Sequence, residues 1–119
     1  MEQQLYSACS KGNFEEVRQY LITNPQIDIN WQDDCGWTFL YVSCFKGYLE
    51  IVKLLLSDER IDVNRGNSKG QTPFFIACAE EHIGVVKLLL SDERVDINQG
   101  NESGNTALWF ASYWGRLNL

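Results

Sequence analysis

Residues 53–64 read KLLLSDERIDVN, and residues 87–98 read KLLLSDERVDIN, 34 positions later. Ten of the twelve positions are identical, and the other two exchange Ile and Val. A fixed period of this length restricts the fold more than any composition does. Each copy is one supersecondary unit too small to bury its own apolar face, so neighbouring copies must stack to cover it. The period extends outward from the quoted stretch. Gly36, Gly70 and Gly104 keep it, as do Thr38, Thr72 and Thr106, and Asn30, Asn64 and Asn98. The first segment, LYSACSKGNFEEVRQYLITNPQIDIN, follows the same plan with one extra residue near Pro25 and without a Gly-x-Thr opening.

Each unit has a physical reading. The Gly before x-Thr suits a turn that needs positive φ. Thr38, Thr72 and Thr106 are expected as N-caps, and Pro73 as a first helical residue, where a missing N–H does no harm. A short helix should follow, ending near Gly47 and near Glu81 in the next unit. A second helix then carries Leu49, Ile51, Val52, Leu54, Leu55 and Leu56, too apolar for an isolated surface helix. The SDER stretch and the residues up to the next Gly form an extended turn between units. The pattern predicts an all-α, single-layer solenoid of stacked helix-turn-helix units. It should have four helices of the first type and three of the second, in one domain over 1–119. The units are expected at about 1–30 (a polar N-terminal cap), 31–64, 65–98 and a truncated 99–119.

These units resemble the ankyrin repeat family over nearly the whole chain. The resemblance rests on the openings Gly36-Trp37-Thr38-Phe39-Leu40-Tyr41, Gly70-Gln71-Thr72-Pro73-Phe74-Phe75 and Gly104-Asn105-Thr106-Ala107-Leu108-Trp109, with the apolar second helix and the closing Asp-x-Asn. The family places a His where this chain has Tyr6, Tyr41, Phe75 and Trp109. That His hydrogen-bonds adjacent repeats, so aromatic packing is the expected substitute. The resemblance also implies that Asn30, Asn64 and Asn98 buttress the turns.

Little in the chain points to catalysis or cofactors. The single His, His82, opens a second helix in the position of Tyr48 and reads as structural. The carboxylates Asp58, Glu59, Asp92 and Glu93 recur with the loop, which marks an architectural, solvated position. Cys9, Cys44 and Cys78 share one repeat position, with Ser112 as the fourth. Packed helices lie about 8–10 Å apart, beyond the roughly 4.4–6.8 Å between Cα atoms that a disulfide needs. These cysteines are therefore expected as buried, unpaired hydrophobes, with Cys35 the accessible thiol. The segments 66–70 and 100–104 are Gly-rich but lack the Lys-Ser/Thr of a phosphate loop. Asn101-Glu102-Ser103 fits a glycosylation acceptor, with nothing to place the chain in a secretory route. No enzyme activity, cofactor or metal is expected.

Sixteen acidic and ten basic residues give a net charge of −6. That argues against non-specific nucleic-acid binding, which needs a basic surface. No apolar run approaches the roughly 18 residues of a membrane span, and the start lacks a signal-peptide pattern. A cytoplasmic or nuclear setting is the default expectation.

Stacking fixes the shared positions, so positions where the units disagree are free to meet a partner. By the resemblance, a protein or peptide partner meets the turn tips and the inner helices, which line a concave surface. The residues expected there are Asp33, Asp34 and Trp37, then Phe45 and Lys46, Lys69 and Gln71, Glu80, and Tyr113 and Trp114. Trp37 and Phe45 stand out as large aromatics at positions expected to be exposed, where the next unit has Gln71 and Ala79. The alternative is a capping or targeting segment of a longer array or multidomain protein whose activity lies outside this chain. Val86, Leu88 and Leu89 are expected to form an open apolar face, with Leu117 and Leu119 as the stub of a missing helix, and to invite weak self-association.

Overall fold

The computed structural model describes residues 1–97 and Gln99. Its described part holds three helix pairs: α1 (Glu2–Lys11) with α2 (Phe14–Thr23), α3 (Phe39–Lys46) with α4 (Leu49–Leu56), and α5 (Pro73–Ala79) with α6 (Ile83–Leu90). The first helix of each pair packs on the next, α1 on α3 and α3 on α5. The second helices form a parallel outer row, α2 on α4 and α4 on α6. The stacked helix-turn-helix reading is met across these pairs. The fourth first-type helix, its cap Thr106, and Tyr113, Trp114, Leu117 and Leu119 lie outside the described residues.

The caps form where the sequence places them. Thr38 Oγ1 accepts from the N–H of Tyr41 at 3.0 Å, and Thr72 Oγ1 from that of Phe75 at 3.1 Å. Pro73 is the first residue of α5. A stacked first helix is covered on both sides, so its residues are buried almost without periodicity. Phe39 through Cys44 are all buried, as are Pro73 through Cys78.

Gly47 ends α3 at φ 77°. A Cβ there would lie 2.6 Å from Nδ1 of His82, so both the conformation and the stacking exclude a side chain. Glu81 stands at the matching position with φ 59°, a non-glycine in left-handed space.

His82 is the N-cap residue of α6, and its Nε2 lies 2.9 Å from the carbonyl oxygen of Phe45. A carbonyl can only accept, so Nε2 carries the proton in this contact. Cys9, Cys44 and Cys78 are buried and free, and Cys35 is free and exposed. Burial pushes the thiols of Cys9 and Cys78 up to about 12 and raises that of Cys44 as well.

The open apolar face expected on α6 is not what forms. Val86 and Leu89 are fully buried, and only Leu88 is half-buried.

Two polar ladders tie the pairs together at the 34-residue period. Asn30 donates from Nδ2 to the carbonyl of Arg60 at 3.0 Å and accepts at Oδ1 from the N–H of Asp62 at 2.7 Å. Asn64 repeats both bonds, to Arg94 at 2.8 Å and from Asp96 at 2.7 Å. The buttressing role is therefore present. For Asp28, the first member of that series, the carboxylate of Glu2 accepts from the N–H at 3.2 Å.

The SDER loop makes the second ladder. Arg60 pairs with Asp58 at 2.8 Å and reaches back to the carbonyls of Pro25 and Ile27, both at 3.1 Å. Arg94 pairs with Asp92 at 2.6 Å and reaches Leu56 at 2.8 Å. The guanidinium hydrogen bonds hold both aspartates below the usual carboxylate range. The aspartates are thus half-buried anchors for a cross-unit clamp, while Glu59 and Glu93 are the solvated pair.

Candidate functional site

The site grows from the turn at 33–37 and the face of α3 above it. Asp33 sets the turn. Its Oδ1 accepts from the N–H groups of Cys35 at 2.9 Å and Trp37 at 2.8 Å, and its own N–H donates to the carbonyl of Trp37 at 3.0 Å. Asn67 does the same for the next turn, with Lys69 at 2.9 Å, Gln71 at 3.0 Å and the carbonyl of Gln71 at 2.9 Å. An Asx side chain at this place offers the backbone a local acceptor that closes the turn. The two tips join where the N–H of Ser68 donates to the carbonyl of Cys35 at 3.1 Å. Gly36, at φ 80°, permits this approach, since a Cβ there would sit 2.7 Å from the Ser68 nitrogen. Gln32 adds a bridge, donating from Nε2 to Gly36 at 2.9 Å and to Gly66 at 3.1 Å.

Tyr41 is the hub. Its side chain is fully buried, one turn below Phe45 on α3. Its hydroxyl donates to Oε1 of Gln71 at 3.2 Å and accepts from Nδ2 of Asn67 at 3.2 Å. Asn67 Nδ2 also donates to Gln71 Oε1 at 3.0 Å. Burial first, then the charge of Glu80, pushes the phenol up to about 12. Tyr6 holds the matching position one unit earlier. Burial, and then the charge of Asp33, raise its phenol. Aromatic packing is therefore not the whole substitute for the family's His. The Tyr41 hydroxyl restores inter-unit hydrogen bonds as well.

Trp37 lies over this hub, with ring centroids 4.7 Å from Tyr41 and 5.2 Å from Phe45, the latter edge-on at 63°. The structure thus brings Trp37, Phe45, Gln71 and, through the field felt at Tyr41, Glu80 to one region. Asp34 and Lys69 flank it from the exposed turn tips, and Lys46 from the exposed end of α3. The expected exposure of Trp37 and Phe45 needs correction. Trp37 and Phe45 are half-buried and packed against the core, because each covers a face of Tyr41 or of the other. Asp33 is half-buried, and its carboxylate is occupied by the turn's N–H groups. Gln71 is also half-buried, tied to Tyr41 and Asn67.

Neither the hydrogen bonds that Tyr41 and Asn67 make across the units nor the Gln32 bridge was expected here. A signal existed for the first: each tyrosine at the family's His position precedes an Asx residue, Asp33 or Asn67, at the facing turn.

The region is a ridge, not a pocket. Cavities of about 510, 390 and 380 Å³ lie elsewhere, the largest between the C-terminal ends of α4 and α6. No cluster of three or more His, Cys, Asp or Glu side chains able to hold a metal occurs among the described residues. No helix among them is long and apolar enough to cross a membrane.

Paired helices stacked at a fixed period, with Asx-closed turns projecting from one edge, define a helical-repeat solenoid. A family model for ankyrin repeats, in three copies, matches residues 2–67 and 59–119, and the chain belongs to the ankyrin repeat family. Ankyrin repeats are generally protein–protein interaction modules. No curated protein matches the chain in sequence.

Proposed function

We propose that this chain is a non-catalytic protein-binding module whose partner, a protein or peptide, docks on the ridge formed by Trp37 and Phe45. The observation that carries the reading is the edge-on Trp37–Phe45 pair, half-exposed at 5.2 Å. The next unit builds the same turn with Gln71 and the same helix with Ala79, so stacking alone does not demand aromatics at these places. A preformed surface binds at little ordering cost, and a rigid aromatic anchor with a charged rim is the anatomy of an interface hot spot. Lys46, Asp34, Lys69 and Glu80 supply that rim. Gln71 borders it, and Asp33 supports it from beneath.

The test uses a partner recovered by affinity capture and titrated into ¹⁵N-labelled chain. Shifts should centre on the Trp37 indole and the Phe45 and Lys46 amides. Shifts confined to α2, α4 and α6 would move the site to the outer row and refute this assignment.

A further inference from the structure

The ridge is an aromatic corner set among carboxylates. Trp37 and Phe45 meet edge-on at 63°, with ring centroids 5.2 Å apart. Each is half-buried, so part of each ring faces solvent. The pair belongs to the middle of the three described helix pairs, and α1 and α5 pack on either side of its helix. An aromatic face is the negative end of a quadrupole and attracts a cation laid on it.

The two turn tips and the C-terminal ends of the three inner helices carry the carboxylates Asp33, Asp34, Glu80 and Glu81 and the lysines Lys11, Lys46 and Lys69. Lys69 and Glu81 lie toward the next unit and offset each other. Asp33, Asp34 and Glu80 then stand against Lys11 and Lys46. That margin is small, but the tyrosines facing the turns show which sign prevails. Burial and then the charge of Glu80 push the Tyr41 phenol up to about 12. Burial and then the charge of Asp33 raise that of Tyr6. The Trp37 ring lies on Tyr41 at 4.7 Å, and the Asp33 carboxylate accepts from the N–H of Trp37 at 2.8 Å. Hydrogen bonding fixes that carboxylate in place without removing its charge.

From the aromatic pair and the carboxylates around it we infer that the ridge takes a protein segment through an arginine side chain, its guanidinium laid on Trp37 and Phe45 and facing Asp34 and Glu80. This rests on the protein-binding reading above and adds the partner's chemistry. A guanidinium is planar and weakly hydrated, so it stacks on a ring while its fork of N–H donors stays open to carboxylates. Asp34 and Glu80 are exposed and can meet it.

Lys46, next to Phe45, opposes a cation at short range. The net charge of −6 favours one at long range, with the same sign as the carboxylates at the turn. The Debye length is about 8 Å at physiological ionic strength and about 30 Å at 0.01 M, so the whole chain contributes most at low salt. Added salt therefore weakens the binding of a basic segment, whereas dominance of Lys46 would make added salt strengthen it.

The experiment titrates ¹⁵N-labelled chain with three short peptides, capped at both ends, that differ at one central residue between leucines. That residue is arginine, citrulline (the same shape without the charge) or glutamate. Trp37 indole shifts are read at about 0.05 and about 0.3 M salt. The arginine peptide should bind about fivefold more tightly than the citrulline peptide. The glutamate peptide should bind most weakly, and the arginine advantage should shrink as salt rises. In the double variant Asp34→Asn, Glu80→Gln the advantage should fall about twofold while a thermal melt stays cooperative. Equal binding of the arginine and citrulline peptides, or tighter binding of the glutamate peptide, overturns the inference and leaves the ridge as a docking site. So does an arginine advantage that grows with salt or is unchanged in the double variant. If no peptide moves the Trp37 indole, both the inference and the docking reading fall.

Discussion

The turn at 33–37 and the turn at 67–71 have one backbone and two surfaces. Asp33 and Asn67 accept from the N–H groups two and four residues on, with distances that agree within about 0.2 Å. Past that shared frame they diverge. Where the first turn carries Trp37, lying on Tyr41 and Phe45, the second carries Gln71, whose amide reaches back to the Tyr41 hydroxyl. The frame is thus set by one Asx side chain and one glycine per unit. The last residue of the turn is left to serve either the neighbouring unit or a partner. Trp37 does some of both, since half of it is buried against Tyr41 and Phe45.

The comparison breaks most severely at the hub that both turns share. Tyr41→Ala should destabilise by about 3–5 kcal/mol, the usual cost of emptying a buried aromatic site. Tyr41→Phe should cost only about 1–2 kcal/mol, because it removes one hydroxyl from Asn67 and Gln71 but keeps the packing. Denaturant melts of the two variants separate packing from hydrogen bonding, and equal losses would mean the hydroxyl bonds contribute nothing.

Next in size is the turn frame. Asp33→Ala leaves the N–H groups of Cys35 and Trp37 without their acceptor and should cost about 1–2 kcal/mol. Asp33→Asn, which copies the Asn67 turn, should cost less than about 0.5 kcal/mol. A large loss in Asp33→Asn would show that the charge, felt by Tyr6, does more than the geometry.

The SDER clamps sharpen the comparison through pH. Asp58 and Asp92 have folded-state values below their unfolded ones, so the stability they add is full above the ordinary aspartate range. It is lost as pH falls through and below about 4. Thermal midpoints should therefore drop from about pH 5 to about pH 3, and an Asp58→Asn, Asp92→Asn double variant should show a flatter decline. The smallest expected effect is at Glu81, whose φ of 59° is unfavourable for a glutamate. Glu81→Asn, a residue that tolerates left-handed backbone, should gain about 0.5 kcal/mol.

Much of the scaffold was legible in the sequence, because repetition marks positions that serve one purpose in every unit. The Thr38 and Thr72 caps, Pro73 and the buried free cysteines all follow from that, while the Asn30 and Asn64 ladder follows from the family resemblance. The exposure of Trp37 and Phe45 was misjudged for a related reason. Their small counterparts Gln71 and Ala79 show that no aromatic is required, but not that an aromatic placed there stays in solvent. A tryptophan over a tyrosine, beside a phenylalanine one helical turn on, covers itself. The hydroxyl of Tyr41 and the reach of Arg60 were hidden for another reason. Both contacts span about thirty residues, and periodicity says which positions correspond, not which side chains cross between units.

The central claim is that the Trp37–Phe45 ridge anchors a partner and that the fold survives its removal. The double variant Trp37→Gln, Phe45→Ala measures it directly, by titration with the captured partner beside a denaturant melt. The account predicts a cooperative melt with a loss of about 2–3 kcal/mol and an affinity reduced at least about thirtyfold. Unchanged affinity, or a chain that no longer folds cooperatively, would contradict it.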